Sequence, residues 1–562
     1  MAVYSRRDLL KLTGQSCLAR GVAPWARILT STDSAGSLRP VRCINVVNFL
    51  RGVEPREPVD LFLPLQKQME VILEHRLPAT WLLQFDALVS GPFVEFLKAH
   101  MPPEHELGIW FEMNEMHCRA AGVEWRGRPG YGWDHLPPVA FTLGYTPDER
   151  IRLAEAFMRE FKGVWGRHPK SVASWNLDAI TMAHLADRYG VDAFAVCRDQ
   201  IATDGFTIWG APIAGYYPSK VNCWSPALSR REQISTPVFR MLGQDPVYYY
   251  QNGYPMPGGR RGSGPDTMEP VWPSGRSSAF IENFLRMVSA SPALRFAYAQ
   301  LGQENSFGWR SMADAYPRQM KVLADLRDSG AVSIETMGES GRRFKREFKE
   351  TPAQAQVMLI DPHGNADPGE RSIWYQNRFY RANLHLRGDL PYLRDLTVYS
   401  DKNAQPFLKQ ATRANDVEQR MPAVLDGYHW STTPGSSEPG AGGYFVVDGQ
   451  RVRLAGTPRV REEGDSLVVD LPVGNGGILQ LSFDERKLSM RMTPTSKVQL
   501  TLSFEWDVHK AALVDVKGGR AVFRWQDFEY SVAVTGAARV TSRGWSVEST
   551  PPAIEIRMAQ AT

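Results

Sequence analysis

Residues 171–196, SVASWNLDAITMAHLADRYGVDAFAV, contain a strand, a helix and a second strand in one short stretch. Residues 171–177 and 192–196 are apolar runs of strand length, and residues 179–189 have the spacing of an amphipathic helix. A strand, a crossover helix and a further strand form the unit from which parallel sheets are built. We therefore predict that this stretch belongs to a parallel β/α sheet.

The same alternation continues on both sides, over residues 39–350. Thr146-Pro147-Asp148-Glu149, for example, opens a helix with a cap, a proline and acidic first-turn residues. About seven or eight strand–helix units predict a parallel (β/α)7–8 barrel, closed or nearly closed. The other predicted strands are residues 43–50, 79–85, 107–113, 238–242 and 295–301.

After about residue 350, helical periodicity gives way to short strands with period two. Residues 444–447 and 451–454 flank Asp448-Gly449, a dipeptide typical of a hairpin turn. We predict an antiparallel β-sandwich over residues 351–562, which gives an α/β barrel domain followed by a β-rich domain.

The stretch Ser5-Arg6-Arg7-Asp8-Leu9-Leu10-Lys11 has the pattern of a twin-arginine signal, an address read by the bacterial Tat export machinery. The alternative is a chance Arg-Arg pair at the start of an amphipathic helix. We interpret residues 1–38 as the signal segment, and we expect a periplasmic or extracellular protein.

Composition excludes two classes of partner. The 562 residues include 65 basic and 61 acidic ones, and no dense basic stripe indicates a nucleic-acid partner. No apolar run is long enough for a stable membrane span. The chain has 16 tryptophans and 19 tyrosines, which either pack against sugar rings or fill a large core.

Four predicted strands lead directly into a carboxylate, and in such a barrel catalytic residues follow the carboxyl ends of strands. A buried acid with a raised pKa beside an ionised one is the machinery of glycoside hydrolysis. The alternative for each is a helix cap or a loop salt bridge, above all for the third, which precedes a helix. The four candidate catalytic residues are Asp86, Glu112, Asp178 and Glu304.

Further residues near these strand ends are candidates for substrate binding. Aromatic rings are predicted to stack on sugars, and polar groups to bind hydroxyls or a carboxylate; the alternatives are core packing and loop hydrogen bonds. The candidates are Trp110, Trp175, Tyr217, Lys220, Asn48 and Arg51. No H-E-x-x-H, phosphate-binding or dinucleotide motif occurs, so we predict no metal and no cofactor.

The order Phe85-Asp86, then 106–110 (ELGIW), then 174–178 (SWNLD), resembles the glycoside hydrolase/deacetylase β/α-barrel superfamily. It is most similar to exported bacterial members that join such a barrel to a β-rich C-terminal part. In the glucanotransferase-like members a nucleophile follows the fourth strand and an acid lies late in the barrel. Asp178 and Glu304 occupy roughly those places, so the resemblance implies these roles for them.

Three functional hypotheses follow, and all have a carbohydrate as partner. The first is an exported glycoside hydrolase with Asp178 as nucleophile or base and Glu304 as acid, in which Glu112 and Asp86 position the sugar or tune pKa values. The second is a carbohydrate deacetylase whose metal is held by Asp86, Glu112 and His117. The third is a non-catalytic glycan-binding protein. The enzymatic hypotheses require the four acids to meet at one rim of the barrel.

Overall fold

A computed structural model of the protein describes most of the chain beyond the predicted signal segment, residues 1–38, which lies outside the described residues. The described ranges are 39–197, 206–208, 214–243, 245–248, 267–364, 369–415, 417–432, 440–493, 498–507, 512–549 and 553–558.

The first part of the chain alternates strands and helices. Its strands are β1 (Val41–Leu50), β2 (Thr80–Leu83), β3 (Glu106–Trp110), β4 (Ser171–Ser174), β5 (Ala193–Val196), β6 (Phe206–Ile208), β7 (Gly215–Tyr216), β8 (Val238–Arg240), β9 (Phe296–Leu301) and β10 (Ser333–Glu335). Its helices are α1 (Phe62–Glu74), α2 (Phe85–Leu88), α3 (Gly91–His100), α4 (Glu115–Ala121), α5 (Pro137–Ala140), α6 (Pro147–Trp165), α7 (Ala179–Tyr189), α8 (Pro273–Arg276), α9 (Ser278–Ala290), α10 (Ala315–Asp328) and α11 (Met337–Glu347).

Nine of these strands form one sheet that is nearly closed into a barrel. β1 pairs in parallel with β2, β9 and β10, and the parallel order continues through β3, β4, β5 and β8. β7 is antiparallel to β8. Phe239 of β8 packs its ring against Phe296 and Tyr298 of β9, which brings the two ends of the sheet together. The predicted parallel β/α barrel is confirmed.

The second part of the chain is antiparallel. Its strands are β11 (Gln354–Met358), β12 (Glu370–Gln376), β13 (Tyr380–Arg387), β14 (Leu390–Val398), β15 (Val417–Gln419), β16 (Ala423–Asp426), β17 (Gly442–Val447), β18 (Gln450–Arg451), β19 (Arg459–Glu463), β20 (Ser466–Pro472), β21 (Ile478–Phe483), β22 (Lys487–Thr493), β23 (Leu500–Glu505), β24 (Leu513–Lys517), β25 (Arg520–Trp525), β26 (Phe528–Thr535), β27 (Ala537–Thr541), β28 (Gly544–Ser549) and β29 (Ala553–Met558).

All of these strands except β15 form a ten-stranded and an eight-stranded antiparallel sheet. Alternate residues of both sheets meet in one apolar core, to which Leu384, Leu393, Leu481 and Ile556 contribute. This arrangement confirms the predicted β-sandwich.

A loop of the sandwich, residues 403–412, docks on the barrel. The buried Arg150 of α6 donates to the carbonyl oxygens of Phe407 (2.7 Å) and Leu408 (2.8 Å). The side-chain oxygen of Gln405 accepts from the backbone N–H of Ala179 (3.0 Å) and of Cys223 (3.2 Å). In addition, β15 pairs in parallel with β6, which precedes β7 in the chain. The barrel rim beside β4 and α7 is therefore completed by sandwich residues.

None of the described helices is both long and apolar enough to cross a membrane.

Candidate active site

Arg51, which follows β1, joins carboxylates from two other strands. Its guanidinium lies 2.8 Å from Oε2 of Glu112, after β3, and 3.2 Å from Oε2 of Glu304, after β9. Asn305 fixes the backbone of Arg51 by exchanging two 2.9 Å hydrogen bonds with it. All three charged side chains are at most 4% exposed. The carboxyl ends of parallel strands thus converge on one buried cation, as this barrel geometry requires.

Burial opposes the positive charge of Arg51, but the facing carboxylates of Glu112, Glu304 and Glu54 outweigh that effect and raise its pKa. The ring of Trp133 stacks on the guanidinium at 3.9 Å, and its indole N–H donates to Oε2 of Glu112 (3.1 Å). Such a stacked, ion-paired arginine has one orientation only. The sequence does not mark Trp133 as part of the site, since a tryptophan in a Gly/Pro-rich loop has no signal that distinguishes site from surface.

Asp86 lies on the other side of β1 from Glu304, in the short helix α2 that follows β2. Burial raises the pKa of its carboxyl to about 6, although the backbone amides of Gly52 and Ala87 and the charge of Arg51 offset part of this effect. Oδ1 accepts from the N–H of Ala87 (2.8 Å). With a pKa of about 6, Asp86 loses its proton well above the pH at which an ordinary aspartate does.

The predicted sugar-stacking rings of Trp110 and Trp175 form a closed layer beneath these charges. Trp110 stacks on Phe49 at 3.9 Å, and Trp175 packs edge-on to both, at 5.2 and 5.5 Å. The two tryptophans are 0% and 2% exposed. No ring face is open in this arrangement, which favours core packing over the predicted stacking on sugars. Phe49 and Trp110 lie two residues before Arg51 and Glu112, so their rings support the charged layer.

The other predicted binding residues do not join the Arg51 cluster. Tyr217 donates its hydroxyl to the carbonyl of Phe348 (2.8 Å), at the junction of barrel and sandwich, and is buried. Lys220 donates to the Arg231 carbonyl on an exposed loop. Oδ1 of Asn48 accepts from the N–H of Gln303 (3.1 Å) and the hydroxyl of Tyr316 (3.0 Å). Tyr217 therefore has no face for a sugar, and Asn48 positions the turn that carries Gln303.

Asp178 follows β4 but serves as the N-cap of α7. Its Oδ1 accepts from the N–H groups of Ile180 (2.9 Å) and Thr181 (3.0 Å), and its Oδ2 accepts from the Thr181 hydroxyl. Arg150 adds an ion pair at 3.3 Å. Both oxygens are occupied, so this geometry favours the cap over the role of nucleophile or base that the sequence predicted.

We expect Asp178→Asn to fold and to retain turnover, because asparagine caps a helix as well as aspartate does. Asp178→Ala removes both the cap and the buried ion pair with Arg150, and we expect it to lower the free energy of unfolding by more than the roughly 1–2 kcal/mol of a cap alone. Chemical denaturation and initial rates of both variants check this. Loss of turnover in a correctly folded Asp178→Asn protein would restore the assignment made from the sequence.

The residues of the metal hypothesis do not form one ligand set. His117 is enclosed by aromatic rings, stacked on Phe85 at 4.9 Å, and its Nε2 lies 2.9 Å from the carbonyl oxygen of Leu153. Burial lowers its pKa to about 4. The guanidinium of Arg51 already lies between Glu112 and Glu304, where a metal cation would be repelled. Among the described residues, no group of three His, Cys, Asp or Glu side chains is placed to hold a metal ion.

A further buried carboxylate, Glu269, lies beside the cluster and was not predicted. It accepts from Nε2 of Gln303 (3.2 Å) and from the indole N–H of Trp272 (3.1 Å). With Phe49, Gln300 and Gln303 it lines a cavity of about 10 Å³, which has room for about one water molecule. Glu269 follows a Pro/Gly-rich irregular stretch, so no strand pattern marked it in the sequence.

Comparisons with known proteins give structural matches only. No protein-family model matches the chain, and no curated protein matches it. A Parabacteroides distasonis structure described as a glycoside hydrolase/deacetylase is 15% identical with a TM-score of 0.47, over 68% of this chain and 89% of its own. Two structures described as polysaccharide deacetylases are similar at lower scores. The structure from Pseudomonas aeruginosa PAO1 is 11% identical with a TM-score of 0.34, and the match covers 55% of this chain and 92% of that one. The structure from Mycobacterium smegmatis is 12% identical with a TM-score of 0.33, and the match covers 57% of this chain and 98% of that one.

These descriptions name the same class as the resemblance drawn from the sequence. At such identities and TM-scores, the similarity assigns neither an activity nor a residue's role to this chain.

Proposed function

We propose that this protein is a carbohydrate-active hydrolase that cleaves glycosidic bonds at the carboxyl-terminal mouth of its barrel. The observation that carries the proposal is the difference between two environments on either side of Arg51. Asp86 is buried with a pKa raised to about 6, whereas Glu304 faces the permanent charge of the guanidinium. Carboxyl groups with environments that differ in this way are typical of an acid/base pair.

In this proposal Asp86 donates the proton to the leaving oxygen. Glu304, for which the sequence suggested the role of acid, acts instead as base or nucleophile, because it is paired with the guanidinium of Arg51. The two side chains follow β2 and β9, the strands that pair with β1 (Thr80–Leu83 and Phe296–Leu301). They therefore follow strands on opposite sides of β1, and the proposal places the scissile bond of the sugar above Arg51, between the two carboxyl groups. Glu112 holds Arg51 in place. The signal pattern in residues 1–38 supports the further proposal that the enzyme acts in the periplasm or outside the cell.

The assumed proton donor sets the pH dependence. Because Asp86 must be protonated to act as an acid, we expect kcat/KM to fall as the pH rises through about 6. The measurement is a pH–rate profile on a substrate that the enzyme cleaves, from about pH 4 to 9. A profile that stays flat from about pH 5 to 8 would contradict the role of Asp86.

The experiment that tests the function uses the full chain on neutral and acetylated oligosaccharides, with and without a chelator. New reducing ends that form equally with the chelator present support the proposal. Acetate release that stops when the chelator is added would replace it with the deacetylase hypothesis. Binding without either product would leave the non-catalytic glycan-binding hypothesis.

A further inference from the structure

Four amide side chains near the carboxyl ends of barrel strands are buried with incomplete hydrogen bonding. Both polar atoms of Gln84 and of Asn176 lack a partner, and so does Oε1 of Gln300 and of Gln303. All four residues are at most 5% exposed. A buried amide atom that makes no hydrogen bond destabilises the folded state. Six such atoms on four side chains at one end of one barrel therefore indicate a polar ligand.

The local structure directs these amides to the mouth. Leu82 pairs in register with Phe49, whose ring stacks on Trp110 inside the barrel. Gln84 lies two residues further along the same extended backbone, so it faces the barrel interior as well. Gln300 lies in β9 and Gln303 just beyond it, and both line the cavity beside Phe49. The hydrogen bond from Gln303 to Glu269 fixes that amide and leaves its carbonyl oxygen as the open acceptor. Asn176 follows β4, at the same end of the sheet.

The charges at this end select against anions. The buried carboxylates that follow the described strands are Asp86, Glu112, Asp178, Asp245, Glu269 and Glu304, and the buried guanidiniums near them are those of Arg51, Arg150 and Arg240. Negative groups thus outnumber positive ones, which disfavours an acidic sugar. Amides offer both donors and acceptors without charge, which matches the dual character of a hydroxyl group.

We propose that Gln84, Asn176, Gln300 and Gln303 form a subsite that binds the hydroxyl groups of an uncharged sugar ring. This rests on the proposed function and names its substrate class. The cavity beside Gln300 and Gln303 has room for about one water, so a sugar must displace side chains to reach the amides. When the sugar binds, its hydroxyl groups form the hydrogen bonds that the amides lack in the empty site, and this lowers the free energy of the complex.

The test measures affinity and thermal stability together. The full chain carries Asp86→Asn to prevent turnover, and Gln84→Met or Gln303→Met is added, since methionine has nearly the shape of glutamine. Calorimetric titration uses cello-, xylo-, malto- and manno-oligosaccharides and, as the charged probe, oligogalacturonate. We expect each Met variant to lose about tenfold or more in affinity for the neutral sugar that binds best. We also expect its Tm to be unchanged or about 1–2 °C higher.

Gln354→Met is the matched control, because Gln354 is equally buried but fully hydrogen-bonded. Its side chain accepts from the N–H of Gly215 (3.2 Å) and donates to the carbonyl of Gly215 (2.6 Å), far from the mouth. We expect this variant to lose thermal stability and to keep its affinity. Opposite responses of the control and the mouth variants distinguish a binding amide from a structural one.

Three results would overturn the subsite. The first is a lower Tm with unchanged affinity in Gln84→Met and Gln303→Met, which would mean that the amides hold structural water. The second is tighter binding of oligogalacturonate than of any neutral sugar. The third is binding of no sugar at all. Because binding is measured without turnover, the subsite can fail while the hydrolase proposal stands, and the reverse also holds.

Discussion

Asp86→Asn is expected to lower kcat by about 10²–10⁴-fold and, at neutral pH, to make the protein more stable. The folded protein holds the Asp86 proton up to about pH 6, roughly two units above an ordinary aspartate. The stability this group contributes is therefore full at low pH and is lost as the pH rises through about 6. At about pH 7.5 the buried charge costs up to about 3 kcal/mol, which the neutral asparagine avoids.

Two measurements check this prediction: kcat of the pure variant, and its unfolding free energy at about pH 5 and 7.5. Glu115→Gln is the control. Glu115 is an exposed carboxylate in α4, paired with Arg119 at 3.0 Å, and we expect its replacement to change neither quantity by much. If Asp86→Asn keeps most of its turnover, or loses stability at neutral pH, Asp86 is not a buried general acid.

Arg51→Met is expected to produce the largest loss of stability, about 3–5 kcal/mol. Removing the guanidinium leaves Glu112 and Glu304 buried without the cation that they share. Carboxylates in that position take up protons more readily, so the loss should be smaller at about pH 5 than at about pH 8. Denaturant unfolding at the two pH values measures both effects.

The control for Arg51→Met is Arg56→Met. Arg56 also stacks on Trp133, at 4.5 Å, and pairs with Glu54 at 2.8 Å, but it is less buried. We expect Arg56→Met to cost less than Arg51→Met, because it removes the partner of one buried carboxylate, Glu54, instead of two. A second variant, Arg51→Met with Glu112→Gln, removes one of the unpaired charges and should recover part of the loss. Equal costs for the two arginine variants would show that the Arg51 ion pairs add nothing.

The strand pattern predicted the barrel well, because buried parallel strands are recognisable as apolar runs between amphipathic helices. The run at 107–113, for example, contains most of β3 (Glu106–Trp110). The strand pattern also placed Asp86, Glu112 and Glu304 at strand ends, and the structure brings these three residues around Arg51. The sequence could not show that Arg51 is the cation that joins them, because Arg51 and Glu304 are 253 positions apart in the chain.

Two features of the site could not be predicted from the sequence. A residue between a strand and a helix is equally suited to catalysis and to capping, and only the occupied oxygens of Asp178 distinguish the two. Aromatic type does not reveal which side of a strand is open, so Trp110 and Trp175 were expected at the surface of a cleft and instead fill the barrel. The periodicity of apolar residues indicates whether a segment is a helix or a strand. The partners of each side chain depend on how the folded chain packs, so the sequence pattern does not give them.

The docking of the 403–412 loop on the barrel has a consequence for synthesis on the ribosome. The N-terminus of α7 and strand β6 find partners in Gln405 and in β15, which are made after the whole barrel sequence. At about 5–20 residues per second, the roughly 70 residues from 350 to 419 take on the order of 4–14 s to translate. During that interval the nascent barrel lacks the contacts that Gln405 and β15 make with its rim. The barrel can therefore reach its final structure only after this part of the second domain has been translated.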